Sequence, residues 1–127
     1  MSTVKANDLQ TTTGGIPTVK GQKLIPTAWV NFNGTGTVAI RDSENVSSIG
    51  DRGTGKYTVN FTTTMANANY SVVTAGSNAA TFGADAPSQG PSYEASTTTK
   101  VHITTGSNTT TSYDWDEVSV AILGGQA

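Results

Sequence analysis

The carboxylates best placed to act together lie near the C-terminus, where Asp114, Asp116 and Glu117 fall within the run YDWDEV. If this run is a strand, Asp114 and Asp116 share one face and stand about 7 Å apart. That separation suits either joint coordination of calcium by oxygen ligands or paired acid and base work on a glycosidic bond. Trp115 between them, with Tyr93 from a loop-like stretch, would add a surface on which a sugar ring could stack. The plainer reading of the aspartates is a charged rim that discourages edge pairing, and it is preferred because no EF-hand-like spacing surrounds them. For Trp115, sugar stacking and core packing both stay open.

Other chemistry-bearing residues are sparse. The single histidine, His102, alternates with Val101 and Ile103 and so belongs to the polar side of a strand, as a solvent-facing or hydrogen-bonded residue. With no second histidine and no cysteine, a zinc site is not expected. A serine triad would have only His102 as its base, and no G-x-S-x-G elbow occurs. Gly34-Thr35-Gly36 and Gly53-Thr54-Gly55 lack the lysine and serine of a phosphate loop, and turns explain both. Five N-x-S/T triplets, at Asn33, Asn45, Asn60, Asn69 and Asn108, are what a chain rich in threonine and asparagine produces by chance. No catalytic residue, cofactor or metal is therefore expected.

The elements around these residues read as strands. Charged residues make up 13% of the 127, against a usual figure of about 25%. Threonine favours strands, and the 14 glycines, with asparagine, favour tight turns between them. No stretch repeats apolar residues at i, i+3, i+4 and i+7 as an amphipathic helix requires. From Ala28 to Phe61, Val30 and Phe32 alternate with Asn31 and Asn33, a turn follows at Gly34 to Gly36, and Val38 and Ile40 continue. Val46 to Ile49 leads through a turn at Gly50 to Gly55 into Tyr57, Val59 and Phe61 on one face.

Beyond a polar connection at Thr62 to Asn69, strands are expected at Tyr70 to Thr74, at Thr98 to Thr104 and at Tyr113 to Leu123. Val101, Ile103, Trp115, Val118, Val120 and Ile122 then point inward. Gly76 to Pro91 reads as a long loop of the kind that carries function. Seven or so short strands predict an all-β antiparallel β-sandwich over residues 28–127, with a jelly-roll-like arrangement as one form it can take.

Residues 1–27 read differently, as an extended N-terminal arm. Its apolar residues Val4, Leu9, Ile16, Val19, Leu24 and Ile25 are too few for a core of their own, so the arm is expected to dock on the domain or on another chain. The arm lacks the apolar run of a secretory signal, and no segment reaches the length of a membrane span. A net charge of −2 gives no cationic field for nucleic acid or anionic lipid. A soluble chain is expected, with neither nucleic acid nor membrane insertion.

The run AWVNFNGTGTVAIRDSENVSSI, followed by GTGKYTVNFTTTMANANYSVV, resembles a module of bacteriophage tail-fibre-like and other virion structural proteins, of the marine and cyanobacterial phage type. The opening STVKANDLQTTTGG and the closing VSVAILG are similar to the two ends of the same kind of protein, and Gly76 to Ser112 is the least matched part. The resemblance brings no catalytic or binding residue. It implies a homotrimer, other tail or capsid proteins as partners, a host-surface glycan as a further one, and residence on the virion after release by lysis. The expected function is a short fibre or tail-fibre-like surface protein. The alternatives are a capsid decoration protein that stabilises the head and, behind it, a glycan-binding module or depolymerase.

Overall fold

The computed structural model describes residues 2–3, 10–14, 22, 24–77, 91–106 and 111–126. Within them the chain forms two four-stranded antiparallel sheets packed face to face, the β-sandwich that the alternation of apolar residues predicts. The first sheet orders β2 (Ala39–Glu44), β1 (Ala28–Asn33), β8 (Glu117–Gly124) and β5 (Tyr70–Ser77). The second orders β3 (Val46–Asp51), β4 (Lys56–Phe61), β7 (Lys100–Thr104) and β6 (Ser92–Ser96). No helix occurs among the described residues.

The core is the set of inward positions that period-two patterning picks out. Val30 and Phe32 of β1, Tyr57 and Val59 of β4, Val101 and Ile103 of β7, and Val118, Val120 and Ile122 of β8 are all buried. Each such side chain contributes about 1.5–3 kcal/mol relative to leaving it in water. Phe32 and Tyr57 meet edge to face across the sandwich, with centroids 5.2 Å apart.

One residue turns the chain from the first sheet to the second. Asn45 separates β2 from β3 and is the only non-glycine with positive φ, 55°, among the described residues. Asparagine tolerates this left-handed geometry because its short amide bonds locally. Asn45 Nδ2 donates to Thr27 O at 3.0 Å, and its Oδ1 accepts from Thr63 N at 2.7 Å. At the opposite edge, Thr74 Oγ1 of β5 donates to Pro91 O, just before β6. Tyr70 Oη of β5 reaches across the sandwich to Thr97 O at 2.8 Å.

Three of the four edge strands carry one extra residue opposite a regular neighbour: Arg41 on β2, Ser47 on β3 and Glu94 on β6. Such bulges blunt edges against further pairing. The fourth edge strand, β5, pairs all eight residues with β8 in unbroken register.

Several expectations change in detail. β6 falls where no strand is expected, so Tyr93 stands on a strand and not in a loop. Gly76 and Ser77 belong to β5, Pro91 is buried, and 78–90, the rest of the expected long loop, lie outside the described residues. Tyr113 to Asp116 precede β8 and are not part of it. Of the arm, Val4, Leu9, Ile16 and Val19 lie outside the described residues, Ile25 is half-buried, and Leu24 is 57% exposed.

Candidate functional site

The segment from Ser112 to Asp116 folds over one end of the sandwich, and the Asp114 carboxylate is engaged there. Asp114 Oδ1 accepts the Gly55 N–H at 2.7 Å and lies 3.0 Å from Tyr57 Oη. The same phenol is 3.0 Å from Gly34 O, so its one proton is shared between a carboxylate and a carbonyl. Gly34 N in turn donates to Trp115 O at 2.8 Å. Burial, with the Asp114 carboxylate beside it, pushes the Tyr57 phenol well above the ordinary tyrosine range. Glycine is required at 34, where a Cβ would strike Tyr57 Oη and lie 2.8 Å from Trp115 O.

These contacts show how Asp114 and its neighbours are placed. Trp115 is 1% exposed, so its ring is a core residue and offers no face to a sugar. Asp114 and Asp116 do not share a strand face, because the residues from Tyr113 to Asp116 are not strand. The backbone O of Asp116 accepts from Arg41 Nη2 at 2.5 Å, while its Oδ1 is buried without a hydrogen-bond partner. Tyr93 is 52% exposed on β6, and with Trp115 buried the two form no joint stacking surface. Among the described residues no three His, Cys, Asp or Glu side chains gather as a metal site would require.

His102 takes the place its alternation predicts, on the outer face of the second sheet, where its Nδ1 lies 3.0 Å from Thr58 Oγ1. Partial burial, with Arg52 and Lys100 nearby, lowers its pKa. Around it the face is polar and mostly basic. Lys56, Thr58 and Asn60 of β4 lie opposite Thr104, His102 and Lys100 of β7. Arg52 pairs with Glu94 at 2.8 Å, which holds that carboxyl below its usual range.

The outer face of the first sheet has a different character. Trp29 of β1 sits opposite Ala121 of β8, which sits opposite Val73 of β5, so one row crosses three strands with apolar side chains. Trp29 is 36% and Val73 54% exposed. Beside this row Asn31 Nδ2 donates to Ser119 Oγ at 2.8 Å, and Arg41 Nη1 approaches Asn31 Oδ1 at 3.4 Å. Asp42 and Glu44 of β2 and Glu117 of β8 make this face acidic.

Sequence reasoning passed over this row, although two signals marked it. Trp29 holds a polar-side position in the β1 alternation, where Asn31 and Asn33 follow it. Val72 and Val73 are adjacent, so in a strand one of them must face outward. No protein-family model, curated protein or solved structure matches this chain.

Proposed function

We propose that this chain is a non-catalytic structural module of a bacteriophage particle, a short fibre or tail-fibre-like surface protein assembled as a homotrimer. One observation carries the reading. The side chains with chemical potential are engaged in the fold, Asp114 on Gly55 and Tyr57, Trp115 in the core and His102 on Thr58, while an apolar row around Trp29 stays at the surface of one sheet. A molecule with its reactive groups held in internal hydrogen bonds or in the core, and an apolar row on one polar-rimmed face, is suited to lying against a protein neighbour. The likeness of the Ala28 to Phe61 region to virion modules supplies the setting.

Deletion of the gene from its phage tests this. Normal particle assembly with lost adsorption to the host is the expected result. Fragile heads with normal adsorption would move the protein to capsid decoration, and particles unaltered in both respects would refute a structural role. Host polysaccharide incubated with the purified protein should keep its chain length; shortening would establish a depolymerase instead.

A further inference from the structure

The two outer faces of the sandwich carry opposite charge. Among the described residues, Asp42, Glu44 and Glu117 of the first sheet stand against one guanidinium, Arg41. On the second, Lys56, Lys100 and Arg52 stand against one carboxylate, Glu94. Each face also has a neutral centre. The row Trp29–Ala121–Val73 on the first would meet Gly50, Thr58 and His102, a shallow row on the second in which Gly50 has no side chain and Thr58 is nearly buried.

We propose that copies of this chain associate face to tail, the acidic face of the first sheet on one copy covering the basic face of the second sheet on the next. Charge complementarity decides for this pairing. Two acidic faces brought together would oppose three carboxylates to three, whereas acidic on basic sets them against ammonium and guanidinium groups. Trp29 supplies the apolar anchor inside the charged rim, the arrangement in which an aromatic side chain contributes most to an interface. Such a contact is heterologous and joins opposite sides of the sandwich, so it repeats as a stack of copies and is a different contact from the one that would close a trimer. It concerns how copies meet, and stands apart from where the assembly resides.

Sedimentation velocity of the full chain at ionic strengths of about 0.02 M and 1 M, across concentrations from micromolar upward, tests it. Association that weakens at least tenfold at high salt is expected, since the Debye length falls to about 3 Å at 1 M. Two variants reverse one face each, Asp42→Lys with Glu44→Lys, and Lys56→Glu with Lys100→Glu. Each alone should lose the salt-sensitive association and show the thermal midpoint of the unmodified chain diluted below its association range, and an equimolar mixture should associate again.

If the second variant associates as strongly as the unmodified chain, the face-to-tail pairing is wrong and like faces meet. A chain that stays monomeric throughout also overturns it. So does a monomer in which acrylamide fails to quench Trp29, because another part of the same chain then covers that face. Should a double reversal fail to fold, the single changes Glu44→Lys and Lys56→Glu carry the same comparison.

Discussion

Replacing Tyr57 with phenylalanine isolates the hydrogen-bonded knot at the end of the sandwich. The ring, its burial and its edge-to-face contact with Phe32 at 5.2 Å are kept, and only the hydroxyl is lost. That hydroxyl lies 3.0 Å from both Gly34 O and Asp114 Oδ1, and Asp114 keeps its bond from Gly55 N. Deleting one partner of buried polar groups costs about 1–3 kcal/mol. Taking about 2 kcal/mol, and an unfolding entropy of about 2.1 cal/mol/K for each of 127 residues, the thermal midpoint should fall by about 7 °C at neutral pH.

The pH dependence of that difference is a second readout. Tyr57 has a raised pKa in the folded chain, so its contribution is complete below the unfolded value of about 10 and declines as pH climbs toward the folded value. At pH 11 the unmodified chain should have lost about 1.4 kcal/mol that Tyr57→Phe does not lose, and the gap between them should narrow by that amount. Thermal denaturation followed by circular dichroism at pH 7 gives the midpoint, and urea denaturation at pH 7 and pH 11 gives the free-energy gap. Tyr93→Phe, at an exposed tyrosine, is the control and should shift the midpoint by less than about 2 °C. A Tyr57→Phe midpoint within 1 °C of the unmodified chain, or a gap that widens at pH 11, would refute the reasoning.

Further outcomes follow from other single residues. Gly55 has a φ of +66°, and a Cβ there would strike Thr105 O and lie 2.9 Å from Ser112 Cβ, so Gly55→Ala should lose about 3 kcal/mol or more by urea denaturation. Asn45→Gly should lose about 1–2 kcal/mol with its side-chain hydrogen bonds to Thr27 and Thr63, and Asn45→Ala about 1–2 kcal/mol more by placing a Cβ at φ 55°; equal midpoints would deny the corner its role. His102 has a lowered pKa, so its neutral form contributes stability above about pH 6.5 that is lost as pH falls through the folded value. The urea midpoint should drop between pH 7.5 and pH 5, by less in His102→Gln, and a rise would count against the assignment.

The inner strands were legible because burial on one side imposes an alternation that residues such as Val30, Phe32, Val101, Ile103 and Val118 display openly. Edge strands were harder. β2 continues through Asp42, Ser43 and Glu44, and β6 reads SYEAS, because an edge strand needs few apolar side chains and a bulge breaks its period. The knot around Tyr57 was beyond pattern reading, since it joins residues 34, 55, 57 and 114 through distant parts of the chain. Asp114, Trp115 and Asp116 lie where the pattern from Tyr113 to Leu123 reads as one strand, whereas β8 begins at Glu117. Trp29 was visible in its outward register and was outshone by the apolar residues beside it.

That the chain is a structural part of a phage particle is tested most directly by imaging. Gold-labelled antibody raised against the folded protein, applied to intact virions of the phage that carries the gene and viewed by electron microscopy, should decorate the tail at a fixed position on nearly every particle. Virions that bind no more gold than particles lacking the gene would contradict the account.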